Sequence, residues 1–316
     1  MRASGIGGQA VMEGIMMKNK ADYALAVRLP NGEIHVEKDV YPGFLAGKKI
    51  LSLPFIRGAF NFVDSMVLGM GTLMRSSLLT EGEEEVELTE EERAEREKGD
   101  SLYVTITVCI SILMAVALFM LLPLWISNFF RKFIESSMIM AVIEGMTRLA
   151  IFITYICLIS KMKEIQRVFM YHGAEHKCIN CIESGLELTV ENVRKSSKQH
   201  KRCGTSFLLI VVIISTLVFM FVKTDTLWLR MVSRILLLPV ITGISYEFLR
   251  LAGRSEAKIV DLLSRPGLML QGLTTKEPED DMIEVAIASV EAVFDWKGYL
   301  KENFPEVEIS EEVAHE

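Results

Sequence analysis

Histidine and cysteine are scarce in this chain, with five of each among 316 residues. A surplus of positive charge is also missing: 34 Lys and Arg stand against 41 Asp and Glu, a formal net charge of −7. Proteins that bind nucleic acid usually present a basic surface, so this balance argues against a nucleic-acid partner. The glycine-containing segment GGQAVMEG (7–14) lacks the G-K-[ST] ending of a phosphate-binding loop, which excludes that class of nucleotide site.

Charge is nearly absent from four long apolar segments. Half of the residues are hydrophobic, and the mean hydropathy of +0.32 is high for a soluble protein. Each segment is about as long as a helix that crosses a bilayer. The four segments are 102–126, 138–160, 205–222 and 231–249. We therefore predict a predominantly α-helical integral membrane protein with about four transmembrane helices.

The few charges inside these segments need an explanation. Glu144 and Arg148 are four residues apart, so they share a helix face and are predicted to pair. Arg234 lies in the fourth segment. Charged residues within a membrane often line an ion or substrate path, which keeps a transporter as a third hypothesis. A purely structural pair is the alternative.

Basic residues predict the orientation in the membrane. The segment 161–204 carries nine Lys or Arg, whereas the connections 127–137 and 223–230 carry two each. The positive-inside rule places the large segment and both termini in the cytoplasm.

Residues 1–14 lack a long apolar core, so we expect no cleaved signal peptide. The basic stretch 194–202 is expected to meet anionic lipid headgroups of the bilayer, with RNA binding and simple anchoring of the segment as the alternatives.

Outside the spans, shorter patterns define the remaining parts. Tyr23–Leu29 and Glu33–Val36 flank Asn31-Gly32, a hairpin turn signal. The segment 54–79 is amphipathic, which suits an interfacial helix, a helix packed on the bundle or a fifth span. We divide the chain into six parts: 1–50, a small β-rich N-terminal unit; 51–100, an amphipathic helix and acidic connector; 101–160, a transmembrane hairpin; 161–204, a cytoplasmic His/Cys-rich loop with the metal site; 205–250, a second transmembrane hairpin; and 251–316, a cytoplasmic C-terminal helix and acidic tail.

Two smaller helix signals complete this division. Thr89-Glu-Glu-Glu92 fits a capping box in the acidic connector. Pro278 precedes three acidic residues, which is typical of a helix start. An apolar stripe for packing follows it: Met282, Val285, Ile287, Val290, Val293 and Phe294.

The stretch His172-Gly-Ala-Glu175-His176 contains the residues that indicate a metal site. It reads H-x-x-E-H, the inverted form of a zinc-protease motif. On a helix, positions i and i+4 share one face, so both imidazoles can bind one metal ion. Glu175 can then activate a water as general base. The stretch predicts a catalytic site for a divalent metal, zinc first among the candidates.

More ligand types crowd the same region, and two interpretations compete. Three of the five His and three of the five Cys lie between residues 172 and 203. In the first interpretation His172 and His176 bind a catalytic ion, with a third ligand from elsewhere and one open position. In the second, the spacing C-x2-C-x18-H-x2-C closes a structural zinc site. The ligands of that site would be Cys178, Cys181, His200 and Cys203.

Glu247 is a further candidate ligand. Metallopeptidases with the inverted motif take a Glu far downstream, and Glu247 lies near the end of the last apolar segment. Alternatively, it is a helix-end carboxylate paired with Arg250 or Arg254.

Motifs spread through most of the chain resemble the YqhQ-like family of bacterial membrane proteins, which are described as predicted metal-dependent enzymes. The motifs are GGQAVMEGIMM (7–17), YHGAEHK (171–177), ELTVENVR (187–194), HKRCGTS (200–206), SYE (245–247) and PGLMLQGLTTKEPED (266–280). The resemblance implies a multi-pass protein of the bacterial plasma membrane. Its pattern includes His172, Glu175, His176, Cys181, His200 and Cys203 but not Cys178. It thereby favours a site built from His172 and His176 with His200 or Cys203.

Two functions follow as expectations. The first is a membrane-embedded, metal-dependent hydrolase that acts on a membrane-proximal substrate, with metal ligands His172, His176, His200 and Cys203 and with Glu175 as general base. The alternative is a non-enzymatic membrane scaffold. In it, a structural metal holds the segment 161–204 against the helix bundle, and the cytoplasmic face binds a protein partner. A closed set of four ligands would favour the scaffold, and three ligands with an open position the enzyme.

Overall fold

The computed structural model describes residues 2–43, 53–81, 105–222, 226–255 and 257–307. The predicted capping box at Thr89 and the acidic tail beyond residue 307 lie outside these ranges. The chain divides into two compact units. One unit comprises Met1–Gly82, Ile159–Leu208 and Thr242–Glu316; the other comprises Glu83–Leu158 and Leu209–Ile241.

A four-stranded antiparallel sheet opens the first unit. Its strands follow one another in the order β1-β2-β3-β4, with bounds β1 Gly7–Val11, β2 Gly14–Asn19, β3 Asp22–Arg28 and β4 Ile34–Val40. The predicted hairpin is confirmed, because β3 and β4 pair from Arg28↔Ile34 outwards around Asn31-Gly32. Gly32 has a φ of 89°, a conformation that glycine adopts without strain. The two strands before this hairpin were not predicted.

The sheet is buried on both faces in its centre. Side chains alternate along β2, so Ile15 and Met17 face one core while Met16 faces another. The larger core joins the sheet to the helices that carry the metal motif and the C-terminal apolar stripe. The smaller core joins it to the long helix after residue 55 through Leu68. The sheet is therefore the middle of three layers, with helices packed on each of its faces.

Ten helices lie within the described ranges. They are α1 Ile56–Glu81, α2 Thr105–Phe130, α3 Ser137–Ile159, α4 Lys163–Glu183, α5 Val190–Lys195, α6 Gly204–Phe221, α7 Leu227–Ala252, α8 Lys258–Thr274, α9 Asp280–Val293 and α10 Trp296–Asn303. Helix α2 contains one π-helical turn at Ala117–Leu121. The predicted stripe after Pro278 is confirmed as α9, in which Met282, Val285 and Val290 are fully buried.

Four of these helices are long and apolar enough to cross a membrane. They are Thr105–Phe130, Met138–Ile159, Gly204–Phe221 and Trp228–Ala252. Each coincides with a predicted span to within a few residues. Helix α1 covers most of the amphipathic segment 54–79 and is not one of the four.

Two parts of the predicted division contain more helix than expected. The connection 161–204, called a loop because it lies between two apolar segments, consists largely of α4 and α5. The segment 251–316 was predicted to hold one helix, but three lie within its described residues. Helix α8 was missed because Pro266 and Gly267 look like a helix break. The helix continues because its buried face packs: a Cβ on Gly267 would come within 2.8 Å of Ser206 Oγ.

The predicted pair of charges is confirmed within the second unit. Arg148 Nη2 donates to Glu144 Oε1 at 2.9 Å. Arg234 also donates to this carboxylate, at Oε2. Both guanidinium groups lie over the ring of Phe219, with 5.4 and 5.0 Å to its centroid. The three charged side chains are buried and carry a net charge of +1 if all are ionised.

Candidate metal centre

Three side chains form a group that could hold a metal ion. His172 and His176 project from α4, and Cys203 immediately precedes α6. Their ligand atoms all lie within 4.8 Å of one another, and Cys203 Sγ is 3.4 Å from His172 Nε2. Ligand atoms around a tetrahedral zinc are roughly 3.5 Å apart. The group therefore has the chemistry and nearly the spacing of a zinc centre.

Backbone carbonyls orient both imidazoles of this group. His172 Nδ1 is 2.9 Å from the carbonyl oxygen of Thr274, and His176 Nδ1 is 2.7 Å from that of Lys198. A carbonyl oxygen only accepts hydrogen bonds, so each Nδ1 must carry the hydrogen. The neutral tautomer then leaves the Nε2 lone pair free on both rings. This arrangement is typical of metal-binding histidines.

A buried glutamine on α8 positions the segment that contains Cys203. Gln271 accepts a hydrogen bond from the backbone N–H of His200 at 2.9 Å and donates to its carbonyl oxygen at 2.7 Å. The same amide donates to Ser206 Oγ. The segment that contains Cys203 is thus held at both ends by a side chain that is fully buried. Sequence reasoning missed Gln271, and its only signal was a polar residue within the apolar run LMLQGL.

Glu175 is buried beside the N-terminal strand. It is 5% exposed and accepts a hydrogen bond from the backbone N–H of Gly8. Burial raises the pKa of Glu175, while the charge of His172 and the Gly8 N–H act in the opposite direction. A carboxylate whose pKa is moved towards neutrality is better suited to accept a proton in catalysis. A Cβ on Gly8 would lie 3.2 Å from the Glu175 carboxyl carbon and 2.6 Å from the Met16 carbonyl oxygen.

His200 lies beside the group rather than within it. Its ring centroid is 5.7 Å from that of His176, and its Nε2 is 3.6 Å from Glu183 Oε2. Burial lowers the pKa of His200. Burial alone would raise the pKa of Glu183, but hydrogen bonds from His200 and Ser4 and the charge of Arg202 lower it to about 2. His200 therefore connects the metal group to a buried carboxylate.

The other proposed ligands lie elsewhere. Cys178 and Cys181 belong to the apolar core, and burial raises the pKa of both thiols, that of Cys181 to about 11. The four residues of the structural-zinc interpretation do not form a group within the described ranges. Glu247 forms a two-point ion pair with Arg57, at 2.6 Å for each bond. The expected pairing of Glu247 with Arg250 or Arg254 is wrong, because the partner lies 190 residues earlier in the chain.

Gly173, inside the motif, has a packing role that yields a prediction. A Cβ at this position would lie 2.0 Å from the backbone carbonyl oxygen of Lys276, which cannot move without its neighbours. We expect Gly173→Ala to lower the free energy of unfolding by about 3 kcal/mol, the upper end for overpacking, as measured by denaturant unfolding in detergent.

The matched control for this prediction is Gly71→Ala in α1, where a new Cβ meets nothing within 4 Å. We expect the control to be neutral or to gain up to about 1 kcal/mol of stability from its higher helix propensity. Equal stability of Gly173→Ala and wild type would contradict the close approach of α4 to residue 276.

Comparisons with known proteins give a family but no reaction. The family described as "Protein of unknown function (DUF1385)" matches residues 53–296. A protein of Bacillus subtilis (strain 168), "Uncharacterized protein YqhQ", is 38% identical over 289 residues, which are 90% of this chain and 90% of the relative. No solved structure matches the chain significantly. The matched residues include the whole metal group, and the resemblance noted from the motifs is confirmed.

Proposed function

We propose that this chain, which belongs to the DUF1385 family, is a membrane-embedded, metal-dependent hydrolase. The observation that carries the proposal is the group of His172, His176 and Cys203, with both Nδ1 atoms engaged by carbonyls. A set of two imidazoles and one thiolate is typical of zinc. Three protein ligands leave one position for water or substrate, as catalytic zinc sites do.

Each residue of the centre has a role in this proposal. A zinc ion held there supplies Lewis acidity and activates water at neutral pH. Glu175 is the general base, and its raised pKa suits it to accept a proton. The Gly8 N–H fixes the direction of the Glu175 carboxylate. Thr274 and Lys198 orient the imidazoles through their carbonyl oxygens. Gln271 holds the segment that carries Cys203.

The proposed location is the bacterial plasma membrane, with four spans and with both termini in the cytoplasm. Support comes from the four apolar helices and from side chains such as Leu113 and Leu236, which are 69% and 71% exposed. Large apolar side chains with that exposure are stable in contact with lipid tails. The nine basic residues of 161–204 support a cytoplasmic position for the metal centre.

One observation favours the second candidate, a scaffold with a structural metal. His176 is 1% exposed and Cys203 4%, so solvent has little access to two of the ligands. A closed site of this kind would stabilise the fold and present the cytoplasmic face to a protein partner. X-ray absorption spectroscopy separates the two functions: four protein ligands favour the scaffold, and three with one exchangeable oxygen favour the enzyme.

The first experiment measures metal content. Full-length protein is purified in detergent without chelator, and its metal content is measured by elemental mass spectrometry. We expect about one zinc ion per chain in the wild type and almost none in His172→Ala or Cys203→Ala, since each variant removes one of three ligands. His35→Ala is the matched control, because His35 lies on β4 and hydrogen bonds to Glu37. Metal-free wild type, or metal retained in folded ligand variants, would exclude this centre.

A further inference from the structure

A cavity of about 550 Å³ lies in the first unit, between the start of the sheet and α1. Lys18, Lys20 and Arg202 bring positive charge to its wall. Asp64 is the one carboxylate among its described lining residues. Cavities of a few hundred cubic ångströms are large enough for a small ligand or a lipid headgroup.

Three side chains of this cavity, Lys18, Lys20 and Arg202, can only donate hydrogen bonds. Lys18 Nζ donates to the carbonyl oxygen of Tyr41 at 2.8 Å, which leaves two of its three hydrogens for other acceptors. The Tyr41 hydroxyl donates to Asp64 at 3.3 Å. Lys20 is exposed and forms no ion pair with the residues that the structure describes. A ligand with negative charge complements this wall, because the single carboxylate already has partners.

The cavity adjoins the metal centre at two points. Gly8 contributes its backbone to the cavity wall, and its N–H donates to Glu175. Arg202 also lines the cavity, directly precedes Cys203 and forms an ion pair with Glu183. The three metal ligands are not among the lining residues. A ligand in the cavity therefore has its charged part beside the centre rather than on the ion.

Helix α1 separates this cavity from a broad apolar surface. Asn61, Asp64 and Leu68 face the cavity. The opposite side of the helix exposes large apolar side chains at helical spacing: Ile56, Phe60, Val63, Met66, Val67, Met70, Met74 and Leu78. A contiguous apolar face of this length is typical of a helix that lies in the interface of a bilayer.

Helix α8 has the same two-faced character. It exposes Ile259 and Met269, at 73% and 76%, together with Leu262 and Leu263. On its buried side Thr274 binds His172, and only residues 253–257 join α8 to the apolar helix α7. A helix with its side chains is about 10 Å across, so the metal centre lies within roughly one helix diameter of this apolar face. Since α7 is a candidate membrane span, a bilayer is the surface that α8 can reach.

We infer that the cavity binds the anionic headgroup of a membrane phospholipid. That this lipid is the substrate rests on the proposed hydrolase function. That the cavity binds this lipid does not depend on that function. The apolar faces of α1 and α8 hold this unit against the bilayer surface. Lys18 and Lys20 receive the phosphate on the cavity side of α1, and Arg202, which is already paired with Glu183, adds positive charge to the wall. Hydrolysis would break one ester bond of the lipid and consume one water. The hydroxyl group of the water would join the acid fragment, and its remaining hydrogen would join the oxygen of the released alcohol.

The experiment is a calorimetric titration of full-length, metal-loaded protein in detergent. The probes are dihexanoyl phosphatidic acid, dihexanoyl phosphatidylcholine and inorganic phosphate. We expect phosphatidic acid to bind at least about tenfold more tightly than the other two, and Lys18→Met and Lys20→Met each to weaken it about tenfold, as for loss of one charged hydrogen bond. Lys38→Met is the matched control, since it removes the same charge from β4 outside this cavity.

Three outcomes would overturn the inference. If wild type and both lysine variants bound phosphatidic acid equally, the measured signal would come from partition of the lipid into the detergent micelle. Equal affinity for phosphatidylcholine would exclude recognition of an anion. Inorganic phosphate as tight as phosphatidic acid would indicate a soluble phosphate compound. His172→Ala and metal analysis of the same samples separate the two proposals: lysine-dependent lipid binding without metal would leave this site standing and remove the hydrolase.

Discussion

Glu144→Gln is expected to lower the free energy of unfolding by about 3–5 kcal/mol, the cost of removing one partner of a buried ion pair. Glu144 is 5% exposed, and it forms ion pairs with both Arg148 and Arg234. Without its charge, two buried guanidinium groups lie near one another and near a single Phe219 ring. The substitution raises the net charge of the cluster from +1 to +2, so mutual repulsion adds to the loss of two attractions.

The two arginines are not equally well satisfied. Arg148 also donates to the carbonyl oxygen of Phe119, within the π-helical turn, and to Ser215 Oγ. Arg234 Nη1 is buried without a hydrogen-bond partner in the part of the chain that the structure describes. Arg234 is therefore the less stable member of the cluster. We expect the double variant Glu144→Gln/Arg234→Met to recover part of the loss, because it restores the net charge to +1.

Unfolding by a denaturing detergent, followed by circular dichroism, provides the measurement. Glu135→Gln is the matched control, since Glu135 is exposed in the connection between α2 and α3. The control is expected to change stability by less than about 0.5 kcal/mol, as surface substitutions usually do. If Glu144→Gln were as stable as Glu135→Gln, the buried charge cluster would not exist in this form.

Glu175→Gln is expected to retain its metal and to lower the rate of hydrolysis by about 10²- to 10⁴-fold, the usual contribution of a general base. A glutamine oxygen can still accept the hydrogen bond from the Gly8 N–H, so the local geometry is preserved while the base is lost. By contrast, His172→Ala is expected to lose both metal and hydrolysis, because it removes a ligand.

The assay follows release of fatty acid and phosphate from dihexanoyl phosphatidic acid, the substrate class inferred above. Glu164→Gln is the matched control, since Glu164 is an exposed residue in the first turn of the same helix. Metal-loaded Glu175→Gln that hydrolyses at the wild-type rate would exclude Glu175 as the base. Wild type that binds metal and this lipid without hydrolysing it would favour the scaffold.

Local signals were sufficient to locate the four long apolar helices and the hairpin. Segments of 18 or more residues with almost no charge can be recognised without a structure, and the helices found at Gly204–Phe221 and Met138–Ile159 follow them closely. The dipeptide Asn31-Gly32 likewise predicts a hairpin turn at its position, where Gly32 has a positive φ. Local rules failed at α8, where packing of Gly267 and Gln271 outweighs the interruption by Pro266.

The amino-acid sequence by itself determined the spacing of His172 and His176, because residues four apart on a helix always share a face. It could not determine the third ligand, since Cys181, His200, Cys203 and Glu247 were all compatible with the motif. Tertiary structure brings one of these residues to the histidines: the ligand atoms of His172, His176 and Cys203 lie within 4.8 Å of one another. Cys181 is buried in the apolar core, and Glu247 is paired with Arg57. The physical reason is that the arrangement depends on contacts between residues far apart in the chain, which no local pattern records. Gln271 and His200 are 71 positions apart, and Arg57 and Glu247 are 190 positions apart.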